Sequence, residues 1–303
     1  MNMKVNIAGI ELANPIVTAS GTFGFGKEYG AFYPLEKLGA ICVKGLTRRP
    51  RQGNPPPRIA ETPMGMLNSV GLQNPGVEEF IREELVRLKA TGTRVIANIA
   101  GNTIEEYCEM AELVSDSDTD LVEMNISCPN VKEGGVAFGT CPGTVEQITR
   151  EVRKHCSKPL IVKLSPNVTD IAETARAAEA AGADALSLIN TLTGMVIDVH
   201  TRRPVLHNNI GGMSGPAVKP VAVRMVWQVA NAVRLPLIGM GGIMTGEDAV
   251  EFILAGASAV AVGTANFVDP YACVHILEGL EKYCEAYGIQ DIKELVGQVK
   301  VYG

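Results

Sequence analysis

The sequence predicts an α/β fold of the (β/α)8-barrel type, with an N-terminal hairpin and long insertions on the C-terminal face, and three observations lead there. Short apolar, β-branched runs alternate with longer amphipathic segments along the chain. The runs lack a polar face, as expected for strands buried on both sides in a parallel sheet with helical crossovers. The length of 303 residues exceeds that of a barrel domain, about 250 residues, by enough for two insertions. A doubly wound sheet is the alternative. It calls for G-x-G-x-x-G after an early strand, and the sequence has none. Residues 1–303 read as one domain, without linker or low-complexity tract.

The elements follow in order. The stretch from Val5 to Leu12 alternates apolar and polar residues around Gly9, which predicts a hairpin across the barrel floor. Strands are expected near Pro15–Ala19, Ala40–Lys44, Arg94–Ile99, Asp120–Ile126, Leu160–Leu164, Ala185–Ile189, Leu237–Met240 and Ala259–Val262. Helices are expected over Val77–Ala90, Thr103–Val114, Thr144–His155, Thr169–Ala180, Pro220–Val233 and Gly246–Leu254. Thr103 with Glu106, Thr144 with Gln147 and Thr169 with Glu173 nearby suggest N-terminal capping, and Gly182 and Gly256 suggest helix ends. Two long stretches, Gly45–Pro75 and Asn190–Pro216, follow strands and so belong to the C-terminal face, where barrel active sites lie.

Composition removes several functional classes. A formal net charge of −6 argues against a nucleic-acid or anionic-membrane surface. No basic start followed by an apolar core marks a secretion signal, and no apolar run reaches the length of about eighteen residues that a membrane helix needs. The seven cysteines are dispersed without a C-x-x-C pair, and the four histidines lack ligand spacing. Reduced thiols in a cytoplasmic protein are expected, with no metal and no iron–sulfur cluster on this chain.

The strand ends carry the chemistry. In order they finish at Ser20, at Lys44-Gly45, and at Asn98, Asn125, Lys163, Asn190-Thr191, Gly241-Gly242 and Gly263-Thr264. A barrel brings all of them to one mouth. Lysine and asparagine are costly on buried strands, so their recurrence at equivalent positions points to a ligand. The glycine loops after the last two strands suit a phosphate, which backbone N–H groups attract. Asparagine amides match an amide-rich heterocycle such as a flavin or a pyrimidine. Lys163 suits the negative charge that a reduced flavin gathers, and Lys44 suits a carboxylate or the ring. The set points to FMN. Cys128, in Asn125-Ile126-Ser127-Cys128-Pro129-Asn130, stands where a thiol can act as general base. Cys141 is the weaker candidate, and Cys42, Cys108, Cys156, Cys273 and Cys284 read as small buried hydrophobes.

These residues resemble a known family. Asn14-Pro15, Ala19-Ser20-Gly21-Thr22-Phe23-Gly24-Phe25-Gly26, Lys44-Gly45, Asn54-Pro55-Pro56-Pro57-Arg58, the stretch from Gly65 to Pro75, the Cys128 motif and Gly241-Gly242-Ile243 are similar to class 1 dihydroorotate dehydrogenases over essentially the whole chain. Gly24-Phe25-Gly26 with Glu28-Tyr29 resembles the class 1B branch. The resemblance implies an FMN-binding barrel that oxidises dihydroorotate to orotate in pyrimidine biosynthesis. It also implies a homodimer core within a heterotetramer, whose partner subunit carries FAD and a [2Fe-2S] cluster and passes electrons to NAD. It assigns FMN to Ser20, Lys44, Gly45, Asn98, Asn125, Lys163, Ile189, Gly215, Gly241, Gly242, Gly263 and Thr264. It assigns dihydroorotate to Lys44, Asn68, Ser69, Val70, Gly71, Leu72, Asn125, Asn190 and Thr191, and the role of base to Cys128. Since the chain shows neither cluster spacing nor a dinucleotide fingerprint, electrons bound for NAD would leave through another protein. Three alternatives stay open: a class 1A-like homodimer using fumarate, a related dihydropyrimidine dehydrogenase, and a flavin relay without substrate chemistry.

Overall fold

The computed structural model describes residues 1–126 and 138–302. In chain order the strands are β1 (Val5–Ile7), β2 (Ile10–Leu12), β3 (Ile16–Thr18), β4 (Ala40–Cys42), β5 (Ile59–Thr62), β6 (Gly65–Asn68), β7 (Val95–Ile99) and β8 (Leu121–Asn125). They continue with β9 (Leu160–Lys163), β10 (Ala185–Leu188), β11 (Leu192–Gly194), β12 (Ile197–Asp198), β13 (Arg203–Pro204), β14 (Gly211–Ser214), β15 (Leu237–Met240) and β16 (Ala259–Val262). Eight of them close into a barrel in the order β3-β4-β7-β8-β9-β10-β15-β16, with β16 returning to β3. Every barrel pairing is parallel. Nearly every barrel strand residue is buried, because helices cover one face and neighbouring side chains fill the other.

The helices are α1 (Val77–Glu79), α2 (Leu85–Lys89), α3 (Ile104–Ser115), α4 (Pro142–His155), α5 (Ile171–Ala180), α6 (Lys219–Ala230), α7 (Gly246–Leu254), α8 (Ala265–Val268) and α9 (Ala272–Tyr287). Each of the longer ones buries an apolar stripe. In α3 it is Tyr107, Met110, Ala111 and Val114, three or four residues apart on one face. The expected helix over Val77–Ala90 forms, with a π turn at Phe80–Glu84 between α1 and α2. At the floor, β1 and β2 form the expected antiparallel hairpin, turning at Ala8 and Gly9, both with positive φ.

The capping expectations divide. Thr103 caps α3 by accepting from the Glu106 N–H at 3.2 Å, but Glu106 reaches the Asn102 N–H instead of closing the box. Asp170, not Thr169, caps α5. The α4 helix begins at Pro142, where proline is favoured, and this leaves Thr144 inside the first turn. Complete boxes form instead between Thr245 and Asp248 on α7 and between Asp291 and Glu294 at the short 3-10 turn Ile292–Leu295. Gly182 and Gly256, with φ of +97° and +120°, follow α5 and α7 as expected.

The two insertions are not separate loops. They interlock as a four-stranded antiparallel sheet, β11-β14-β6-β5, with β6 from the first insertion paired to β14 from the second. Ala60, Leu67 and Leu206 are buried under it, joined by Val196, Val205 and Met213. This small core is separate from the main one, so the insertions hold each other at the barrel mouth.

Candidate active site

Parallel pairing fixes which side chains meet inside the barrel. Glu123 and Asn125 lie two apart on β8 and therefore share a face. Asn98 on β7 is in register with Glu123, and Lys163 on β9 is in register with both Asn125 and Ser187 of β10. The strand-end residues read from the sequence therefore do converge, and a deeper layer lies beneath them.

Glu123 forms the centre of that layer. It is 3% exposed. Its carboxylate accepts from Asn98 Nδ2 at 2.6 Å, Ser187 Oγ at 2.7 Å and Cys42 Sγ at 3.3 Å, and faces Lys163 Nζ at 3.6 Å. Burial alone would raise this carboxyl. The Lys163 ammonium and the hydrogen bonds from Ser187, Asn98 and Cys42 outweigh it and hold the group below the ordinary carboxylate range. Burial and the neighbouring Glu123 charge push the Cys42 thiol far up, so it serves as a donor. The expectation that Cys42 is a plain buried hydrophobe is thus corrected: it is buried, and it also takes part in the polar layer. Sequence reasoning missed Glu123, Ser187 and this role of Cys42. The available signal was a lone carboxylate within the otherwise uncharged strand Leu121–Asn125.

At the rim above, the Asn98 amide has Nδ2 committed to Glu123, while its buried Oδ1 has no hydrogen-bond partner in the protein. That oxygen lies against Gly45, where a Cβ would sit 2.9 Å from it. Lys44 Nζ lies beside Gly21, at 3.5 Å from a Cβ placed there. Ser20 Oγ donates to the Val43 carbonyl at 2.7 Å, which ties the ends of β3 and β4 together. Asn190 Nδ2 donates to Asn125 Oδ1 at 3.1 Å, and Asn190 Oδ1 accepts from the Thr191 N–H at 2.8 Å. Tyr107 OH, donating to the Asn125 carbonyl at 2.6 Å, fixes the end of β8 from α3.

Of the glycines expected to form a phosphate cradle, Gly242 comes up against Gly215, which the resemblance assigned to FMN without a phosphate role. Gly215, Gly241 and Gly242 have φ of +100°, +128° and +82°. A Cβ at Gly242 would lie 2.8 Å from the Gly215 carbonyl oxygen, and one at Gly241 would lie 3.3 Å from the Ile189 side chain. Side chains are thus excluded where the backbone must come close. Thr264 Oγ1 donates to Ser214 Oγ at 2.8 Å, and this joins Gly263-Thr264 to Gly215. At the N-terminus of α7 the Asp248 carboxylate accepts from the Met244 and Thr245 N–H groups at 2.8 and 2.9 Å, which sets a negative charge where an anion would approach. The cradle is therefore the glycine backbone rather than that helix.

The residues from Asn68 to Leu72 arch over the rim. Asn68 Nδ2 donates to the Gly212 carbonyl at 3.3 Å, and the Ser69 N–H to the Arg58 carbonyl at 2.7 Å. Ser69 Oγ is buried without a partner in the protein. The Val70 carbonyl accepts from the Asn54 N–H at 3.0 Å, while Gly71 and Leu72 adopt positive φ. The Leu72 side chain ends 3.1 Å from a Cβ placed on Gly45. Asn74 underpins the arch by binding Thr47 and the Leu72 carbonyl. Cys128 lies outside the described residues. Its described neighbours Ile126 and Gly139 touch beyond the end of β8, since a Cβ at Gly139 would lie 3.0 Å from the Ile126 carbonyl oxygen. Cys141 is exposed at the start of α4.

A family model described as "Dihydroorotate dehydrogenase" matches residues 2–284. The chain belongs to the dihydroorotate dehydrogenase family. It is similar to the "Dihydroorotate dehydrogenase B (NAD(+)), catalytic subunit" of Alkaliphilus metalliredigens (strain QYMF), 63% identical over 299 residues, which is 99% of each chain. A protein of the same description from Alkaliphilus oremlandii is 61% identical over 98% of this chain and 99% of its own. Another, from Geotalea uraniireducens, is 60% identical over 98% of this chain and 97% of its own. Within the dihydroorotate dehydrogenase family, the expected barrel and the convergence of the strand-end residues both hold for this chain.

Proposed function

We infer that this chain is the catalytic subunit of an NAD-linked dihydroorotate dehydrogenase. It oxidises dihydroorotate to orotate in pyrimidine biosynthesis and passes the electrons to a partner subunit. The observation that carries this is similarity at 63% identity along 99% of both chains to a protein so described. The proposed assembly is a homodimer core flanked by two electron-transfer subunits bearing FAD and a [2Fe-2S] cluster. Buried free thiols at Cys42, Cys156, Cys273 and Cys284 support a reducing, cytoplasmic setting. Among the described residues no helix is long and apolar enough to cross a membrane.

The mouth fits FMN. A buried amide oxygen without a partner is costly, and Asn98 Oδ1 beside Gly45 offers an acceptor to a ring N–H. The bare backbone at Gly215, Gly241, Gly242 and Gly263, with the Thr264 hydroxyl, offers a place for a phosphate. Ser20, Lys44, Gly45, Asn98, Asn125, Lys163 and Ile189 would surround the ring. Bound FMN supplies the hydride acceptor.

The chain's own residues do the rest. Lys163, held by Glu123, provides a fixed positive charge where negative charge develops, a preorganised contribution. Lys44 and the Asn68–Leu72 arch place the substrate carboxylate, while Asn125, Asn190 and Thr191 orient the ring through linked amides. Cys128 takes the substrate C5 proton, a role assigned by its sequence motif. The reading is tested by reducing the purified chain with dihydroorotate and then offering acceptors. NAD should leave the flavin reduced until the partner subunit is added. Rapid reoxidation by fumarate without any partner would overturn the NAD-linked assignment.

A further inference from the structure

Below the groups assigned to the flavin lies Glu123, a buried carboxylate to which the reaction as described gives no part beyond holding Lys163. Glu123 is bound from four other strands: by Cys42 on β4, Asn98 on β7, Lys163 on β9 and Ser187 on β10. A buried carboxylate is expensive, and hydrophobic residues of similar volume would often serve stability as well or better. Such a group is a candidate for a role beyond folding. The geometry supplies one. An ionised carboxylate only accepts, so it compels Asn98 to point Nδ2 inward and leaves Oδ1 as an acceptor beside Gly45. The same carboxylate faces Lys163 Nζ at 3.6 Å, on a side chain that is 6% exposed. Asn98 and Lys163 stand next to each other around the barrel only through β8, the strand that carries Glu123.

We propose that Glu123 is a positioning residue for the flavin. It fixes the direction of the Asn98 amide and the place of the Lys163 ammonium, and its negative charge moderates the positive field that Lys163 presents at the mouth. Glu123 touches neither substrate nor cofactor and acts through these two side chains. The proposal rests on the reading of the mouth as an FMN site. It implies that the midpoint potential of bound FMN depends on residue 123.

The test is an anaerobic potentiometric titration, against a reference dye and without substrate, of FMN-loaded wild type, Glu123→Gln, Glu123→Asp, Lys163→Met and the double variant Glu123→Gln/Lys163→Met. All five proteins are titrated at one fixed pH. Removing the carboxylate should then raise the potential and increase the reduced-to-oxidised ratio at the wild-type midpoint by about tenfold. Glu123→Asp, which keeps the charge, should stay near wild type. With Met at 163 the Glu123→Gln shift should vanish. A potential that is unchanged or lower in Glu123→Gln, or an equal rise in the Lys163→Met background, would overturn the proposal. If Glu123→Gln alone fails to fold, folding of the double variant supports the coupling, and failure of both shows a purely structural role. A wild type that binds no FMN would refute the cofactor reading instead, so the two failures are separable.

Discussion

Asn98 presents a single face of its amide to the mouth, because Glu123 occupies the other. Asn98→Ala removes the open acceptor and leaves Glu123 one donor short. We expect FMN affinity to fall about tenfold or more, the equivalent of one lost buried hydrogen bond. Fluorescence titration of apoprotein with FMN measures it, and unchanged affinity would separate Asn98 from the cofactor. Cys128→Ala should keep FMN and orotate binding and lose turnover by about 100-fold or more at neutral pH, the usual worth of a general base. Near-normal kcat would remove Cys128 from that role. At this scale the sequence was readable where polar residues close a strand, as at Lys44, Asn98, Asn125 and Lys163. Glu123 was not, since its meaning depends on Cys42, Lys163 and Ser187, between 40 and 81 positions away. Only barrel closure brings those partners together.

Asp120 does for β7 and β8 what caps do for helices. Its carboxylate accepts from Lys89 at 2.7 Å, from Arg94 at 2.9 Å and from the Val95 N–H at 2.8 Å, and it is 8% exposed. Burial would raise this group, but the Lys89 bond, the Val95 N–H and the Arg94 contact together lower it. A carboxyl lowered on folding adds stability that is complete above its unfolded pKa of about 3.9 and is lost as the pH falls through the folded value. Asp120→Asn should therefore cost about 2 kcal/mol at neutral pH and progressively less below pH of about 4. Urea denaturation at the two pH values measures this, and an equal cost at both would contradict the account. Element type was plain from apolar periodicity, and β15, β16 and α7 match their expected bounds. The starts of helices were harder. Thr169 and Asp170 are both competent caps, and their order is decided by which backbone N–H turns back, as the Ala172 N–H does toward Asp170 at 2.9 Å.

The molecule as a whole depends on two insertions meeting over the barrel. Gly212 is where they meet: it pairs with Asn68 from the first insertion, and a Cβ there would lie 2.0 Å from Thr191 Oγ1. Gly212→Ala should push Thr191 and Asn68 apart. We expect KM for dihydroorotate to rise about tenfold, in line with the overpacking cost of a buried methyl, while FMN content is kept. Steady-state kinetics with flavin quantitation decides it, and an unchanged KM would detach the inter-insertion sheet from substrate binding. The barrel was legible from strand and helix alternation, but this sheet was not. Its strands are short, glycine-rich or partly polar, and 144 positions separate Asn68 from its partner Gly212.

The central claim is that one mouth holds both a flavin and dihydroorotate, and an anaerobic titration of the purified chain with dihydroorotate tests it most directly. Visible flavin absorbance should bleach with each addition while orotate forms in equal amount. A yellow protein that stays oxidised would contradict the substrate assignment, and a colourless one would contradict the FMN site itself.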